Sequence, residues 1–127
     1  MSNSIRIAWP GGSLTAVLRN TPTAAKLIAV LPCTARASTW GEEVYFSLPV
    51  TAALEHDAQQ VVEPGTVCFW VEGSSLALPY GATPIAQKGE SRLVTKCNLL
   101  GKIAGDPGAL AGIRDGDTIK ISVASVE

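Results

Sequence analysis

The aromatic and charged residues that best suit ligand binding lie in and around the segment WGEEVYFSLPV, residues 40–50. Tryptophan and tyrosine combine a large apolar area with a polar atom, so they suit a groove that holds a peptide or a small molecule. An arginine nearby could pair with an anionic group of such a ligand. The candidate ligand-binding residues are therefore Arg36, Trp40, Glu42, Tyr45, Trp70 and Tyr80. The alternative is that the aromatic residues close the ends of the fold or bury an interface.

The adjacent carboxylates Glu42 and Glu43 could suggest a general acid and base pair. Successive side chains on a strand point to opposite faces, so these two cannot act together on one substrate. Glu42 follows the turn at Trp40 and Gly41, where it could meet Arg36. The expected contact is either a structural ion pair or a clamp on a ligand.

The histidine and cysteine residues of the chain give little support for nucleophilic catalysis or for a metal site. The single histidine, His56, lies in the polar segment LEHDAQQ and is expected at the surface, so a catalytic triad lacks its base. Cys33, Cys68 and Cys97 are odd in number and widely spaced, which indicates reduced structural thiols. We expect no catalytic residue, no metal site and no cofactor, with a carboxylate-only cation site as the remaining option.

Two further segments resemble ligand loops only superficially. The DGD of residues 115–117 lacks the later acidic positions of a calcium loop and is typical of a turn. The glycine-rich segment of residues 101–112 lacks the GK followed by Ser or Thr that cradles phosphate. Neither segment predicts calcium or nucleotide binding.

Length and composition bound the architecture and the partners. The 127 residues fit a single domain, residues 1–127, and the net charge of -1 comes with scattered Lys and Arg, which argues against nucleic acid. No apolar run is long enough to span a membrane, and the start lacks a signal-peptide core, so a cytoplasmic location is expected. With 46% hydrophobic and 17% charged residues, apolar surface remains for a groove or for homo-oligomerisation.

Local patterns place the secondary-structure elements. Thr21 and Pro22 are typical of a helix start, and the apolar spacing predicts a helix over about 22–31. Asp106 is expected to cap a short helix over about 107–112. Strands are predicted at residues 4–9, 13–19, 43–48, 66–71, 76–80, 97–103 and 118–123. Residues 81–92 are predicted to form a long loop, called the excursion below, and a long loop in a compact domain is often functional or mobile.

The segments WGEEVYFSLPV, VVEPGTVCFW, LALPYGATPIA and NLLGKIAGDPGAL resemble, in this order, small bacterial and archaeal proteins of the cyclophilin-like fold. The resemblance covers nearly the whole chain and implies a mainly β fold: a closed, eight-stranded antiparallel barrel with helices at its ends. Members of this family are largely uncharacterised. True cyclophilins are prolyl isomerases with a catalytic arginine and a strand rich in Phe, Met, Gln and Gly. That stretch has no match here, and the surroundings of Arg36 differ.

The expected function is therefore a module that binds a small molecule or a peptide, without classical prolyl isomerase activity. Two alternatives remain open at this point. One is an enzyme, either a divergent peptidyl-prolyl isomerase or another activity. The other is a structural module that self-associates through an apolar face.

Overall fold

The computed structural model describes residues 3–126, which form ten strands and two helices. The strands are β1 (Asn3–Trp9), β2 (Gly12–Leu18), β3 (Cys33–Arg36), β4 (Ser38–Thr39), β5 (Glu43–Ser47), β6 (Gln59–Val62), β7 (Thr66–Trp70), β8 (Ser75–Pro79), β9 (Ser91–Ala104) and β10 (Thr118–Val126). The helices are α1 (Pro22–Ala29) and a 3₁₀-helix (Pro107–Gly112). The chain is mainly β, as the sequence predicts.

The strands pair in an antiparallel sheet that is not closed. The hydrogen-bonded order is β3-β10-β1-β2-β9-β7-β8-β5-β4, with β6 pairing with β9 beside this path. The two ends of the order, β3 and β4, are consecutive in the chain and separated only by Ala37. They pair with different neighbours, β10 and β5. The expected closed, eight-stranded barrel is therefore wrong.

The two helices begin where their capping residues predict. The hydroxyl of Thr21 accepts a hydrogen bond from the backbone N–H of Ala24 at 3.1 Å, with Pro22 in the first turn. α1 ends at Ala29 rather than near residue 31, because the N–H groups of Val30 and Leu31 bond carbonyls three residues back. The short helix has the predicted bounds, although it is a 3₁₀-helix. Neither helix of the described chain is long and apolar enough to cross a membrane.

Several strands differ from those predicted. β9 begins at Ser91, so the predicted strand 97–103 is only its second half, and Arg92 belongs to the strand rather than to the excursion. β3, β4 and β6 are short and were not predicted. β3 and β6 pair with strands far away in the chain, and β4 has only two residues, so local alternation does not reveal them.

Buried side chains form two separate cores on opposite faces of the same strands. On β5, Val44 and Phe46 lie in the main core, as the alternation predicts, together with Phe69 of β7. The other face carries a second core, made of Val62, Cys68, Ala77, Leu93 and Cys97. β7 and β8 are therefore buried on both faces, which explains their nearly continuous apolar sequences.

Candidate functional site

A cavity opens beside the second core. Its volume is about 120 Å³. It is lined by Trp40, Glu43, Tyr45, Trp70, Ala77, Leu93, Val94 and Cys97. An engineered cavity of about 150 Å³ in another protein binds benzene, so this space suits one group of side-chain size. Val94 is 51% exposed and marks the open edge of the cavity.

The turn between β4 and β5 brings three of the lining residues to one face. The backbone N–H of Trp40 donates to the carbonyl of Glu43 at 2.9 Å, which extends the pairing of β4 with β5. Gly41, at a φ of 59°, allows the tight connection between the strands. Residues at alternate or opposing positions share a face, so Trp40, Glu43 and Tyr45 point the same way.

Strand register supplies the neighbouring walls. Tyr45 of β5 lies opposite Ala77 of β8, which in turn lies opposite Cys68 of β7. Trp70 follows Cys68 by two residues and therefore shares its face. The rings of Tyr45 and Trp70 meet edge to face, with centroids 6.4 Å apart and planes at 84°. Two cavity walls thus stand almost at right angles.

Gly73 allows the ring of Trp70 to take this position. A Cβ added at Gly73 would overlap with the Cε3 and Cζ3 atoms of Trp70, so the ring would have to move. We therefore expect Gly73→Ala to displace the indole, change the Trp70 indole N–H signal in NMR spectra and lower the free energy of unfolding by about 1–3 kcal/mol.

Gly11→Ala is the matched control for this prediction. A Cβ at Gly11 would lie 3.7 Å from Nε1 of Trp9, an ordinary contact, so the Trp9 signal should stay unchanged. An unaltered Trp70 signal in Gly73→Ala would contradict the proposed packing.

Glu43 is the most unusual residue of the cavity. It is only 6% exposed, and its Oε1 atom is buried without a hydrogen-bond partner among residues 3–126. Burial raises its pKa from 4.5 to about 7, because the charged form loses hydration. A buried acceptor without a donor is costly, so the site favours a ligand that supplies one.

The two neighbouring thiols remain protonated near neutral pH. Burial, followed by the charge of Glu43, raises the pKa of Cys97 to about 12. Burial raises the pKa of Cys68 well above its usual value, with smaller effects from Cys97 and Glu43. The pKa of the half-buried Cys33 is also raised by burial. All three cysteines are free, and none is activated as a nucleophile.

The structure brings together three of the six predicted site residues: Trp40, Tyr45 and Trp70. Arg36 is exposed on β3, where its Nη1 donates to the carbonyl of Gly116 at 3.2 Å. It does not line the cavity.

Glu42 and Tyr80 also lie outside the cavity. Oε1 of Glu42 accepts from the N–H of Ala82 at 3.0 Å, and no ion pair with Arg36 occurs in the described part of the chain. Tyr80 packs against the main core, and burial, with a smaller effect of Glu42, raises its pKa. The excursion before β9 contributes no lining residue, although its Thr83 is buried and donates to the carbonyl of Arg92.

Sequence reasoning missed Glu43. The signal was present, since strand alternation puts Glu43 on the same face as Tyr45, while Glu42 precedes the strand. The other missed lining residues are Ala77, Leu93, Val94 and Cys97. They could not be found without the register of β8 and β9.

The remaining chemical candidates lie where turns and surfaces were predicted. His56 is exposed in a turn. Asp115 accepts hydrogen bonds from the backbone N–H and the hydroxyl of Thr39, at 2.7 and 2.9 Å, so its carboxylate joins its turn to β4. Among the described residues, no group of three or more His, Cys, Asp and Glu is placed to hold a metal ion.

A second, wider groove of about 580 Å³ runs between β2, β6 and β9. Its charged side chains already have partners: Nζ of Lys102 lies 2.5 Å from Oε2 of Glu63, and Arg19 pairs with Asp57 at 2.9 Å. In the part of the chain that the structure describes, the buried side-chain atom without a partner is Oε1 of Glu43, and Glu43 lines the cavity rather than this groove.

Comparison with known proteins assigns the family. Residues 3–122 match the family model described as cyclophilin-like. The chain is also similar to the solution structure of a hypothetical protein from Archaeoglobus fulgidus, with 28% identity and a TM-score of 0.83. That similarity covers 97% of this chain and 95% of the other. No curated protein gives a significant match. The chain belongs to the cyclophilin-like family.

Proposed function

We propose that the protein is a binding module for a small molecule or a peptide, and that the cavity at Glu43 is its binding site. One observation carries this proposal: three aromatic side chains, Trp40, Tyr45 and Trp70, line one cavity together with Glu43, whose Oε1 atom is buried without a partner among residues 3–126. Ligand sites are typically apolar concavities with a few polar groups that fix orientation. The cavity combines both features.

The dimensions of the cavity define how much of a ligand enters it. A volume of about 120 Å³ accepts a single ring or side chain rather than a whole drug-sized molecule. Tyr45 and Trp70 are only partly buried, so further ligand atoms could pack against their exposed parts. A peptide would therefore insert one side chain here and run across the outside of β5 and β9.

A proton-transferring enzyme is the second candidate. It is favoured by the pKa of Glu43 near 7, where a carboxyl can act as acid or as base. The thiol of Cys97, which lines the same cavity, stays protonated and therefore cannot act as a second base beside Glu43. Binding therefore accounts for the site more completely than catalysis does.

Classical prolyl isomerase activity is not part of this proposal. No arginine lines the cavity in the described structure, and Arg36 is engaged with Gly116. We expect no acceleration of proline-peptide isomerisation at micromolar protein. A rate increase that disappears in Tyr45→Ala would support the enzyme instead.

The binding proposal is tested by a thermal-shift screen of fragments on three proteins. Ala77 is 2% exposed and lines the cavity, so Ala77→Leu should fill it without removing a wall. Fragments that raise the melting temperature of the wild type should lose this effect in Ala77→Leu and keep it in Arg36→Ala. The opposite pattern would place the site at Arg36 and contradict the cavity assignment.

A further inference from the structure

We propose that the cavity binds an alkylammonium group that keeps at least one N–H, as in a lysine side chain or a small free amine. The inference rests on the proposed binding function and specifies its ligand class. It depends on the joint position of one carboxyl group and three aromatic rings.

The carboxyl group selects a donor. Glu43 lines the cavity, and its Oε1 atom is buried without a partner in the described structure, so a ligand without a donor would leave this carboxyl group unsatisfied. An anionic group would be repelled by the ionised carboxylate. The earlier expectation that Arg36 pairs with an anionic ligand group therefore has no counterpart in this cavity, which contains no lysine or arginine among its lining residues.

The aromatic rings select a cation. The face of an aromatic ring carries negative charge density and attracts an ammonium group within about 6 Å. Tyr45 and Trp70 stand at 84° to one another, and Trp40 adds a third ring to the lining. Aromatic walls of this kind are used to recognise ammonium ligands in other proteins. A neutral apolar ligand would gain the apolar contact but not this attraction.

An ammonium ligand binds most tightly when the carboxyl group of Glu43 is ionised. The titratable groups around it are Tyr45 on its own strand, Cys68 on β7 and Cys97 on β9, and both thiols stay protonated. Since burial raises the pKa of Glu43 to about 7, most molecules at pH 5 hold a neutral carboxyl group. We expect ammonium affinity to be about 100-fold weaker at pH 5 than at pH 8.

The test compares three probes with equal numbers of non-hydrogen atoms: butylammonium, tetramethylammonium and methyl propyl ether. The first is a cation with N–H donors, the second a cation without them, and the third is neutral. Binding is followed through the indole N–H signals of Trp40 and Trp70, with the buried Trp9 as an internal reference. N-acetyl-lysine methylamide, as a fourth probe, distinguishes a peptide side chain from a free amine.

Butylammonium should bind at least ~10-fold more tightly than the other two small probes, which corresponds to one charge-assisted hydrogen bond. This preference should disappear in Glu43→Gln, and all binding should disappear in Ala77→Leu. Tighter binding of the lysine derivative would indicate a peptide ligand, and weaker binding a free amine; both support the ammonium class.

Three outcomes overturn the proposal. If the ether binds as tightly as butylammonium, the ammonium class is wrong while the cavity remains a binding site. If tetramethylammonium binds more tightly than butylammonium, the need for an N–H is wrong. If no probe shifts the Trp40 and Trp70 signals, the proposed function fails as well.

Discussion

Replacing Asn98 with alanine is expected to lower the free energy of unfolding by about 4 kcal/mol. Asn98 is fully buried in β9. Its Nδ2 donates to the hydroxyl of Thr23 and to the carbonyl of Ala53, both at 2.9 Å, and its Oδ1 accepts from the N–H of Glu55 at 2.7 Å. The substitution would remove all three hydrogen bonds and would also create a void.

The amide group of Asn98 joins three parts of the fold: β9, the start of α1 and the loop before β6. Oε2 of Glu55 extends the network, because it accepts from the N–H and the hydroxyl of Thr23 at 3.0 and 2.6 Å. Asn98 directly follows Cys97, which lines the cavity, and lies opposite Phe69. The network therefore supports the strand that carries one wall of the site.

Denaturant unfolding with Asn20→Ala as control tests this prediction. Asn20 is exposed, so its replacement should change the free energy of unfolding by less than about 0.5 kcal/mol. A loss of less than about 1 kcal/mol in Asn98→Ala would show that the network does not stabilise the fold as described.

The second large effect concerns the pH dependence of stability. Between pH 4 and pH 8, the wild type is expected to lose about 3 kcal/mol of unfolding free energy relative to Glu43→Gln. The pKa of Glu43 is raised by burial from 4.5 to about 7, and each unit corresponds to about 1.4 kcal/mol. Between these values the folded state holds a proton that the unfolded state has released. Stability therefore falls as the pH rises, and the loss is complete above pH 7.

Glu42→Gln is the matched control, because it makes the same change at the adjacent carboxylate, outside the cavity. The glutamine retains an acceptor for the N–H of Ala82. This variant keeps Glu43, so its unfolding free energy should still fall between pH 4 and pH 8. If the difference between the wild type and Glu43→Gln did not change with pH, Glu43 would not be desolvated as the structure indicates.

Local signals in the sequence were sufficient to predict the helices and the long alternating strands. Thr21 and Asp106 cap the helices through hydrogen bonds to residues two or three positions away, so their effect is visible in a short window. The open edge of the sheet was not predictable in this way. It arises because the strands on either side of Ala37 pair with different neighbours: β3 pairs with β10, and β4 pairs with β5.

The aromatic part of the site was predicted from residue type, whereas Glu43 was missed although strand alternation places it on the same face as Tyr45. Trp40, Tyr45 and Trp70 stand out by residue type, and the structure places them together. The carboxylate was assigned to Glu42, because its proximity to the turn suggested a contact with Arg36. The face of β5 that carries Glu43 and Tyr45 borders the second core, and Leu93 and Cys97 of that core are far from β5 in the chain.

The most direct test of the central claim is a ¹³C NMR titration of the Glu43 side-chain carboxyl, assigned by its absence in Glu43→Gln. Glu43 should titrate with a pKa near 7 in the free protein. Saturation with butylammonium should lower this pKa and shift the indole signals of Trp40 and Trp70. A carboxyl that titrates near 4.5 and does not respond to butylammonium would contradict both the desolvation of Glu43 and the ammonium site.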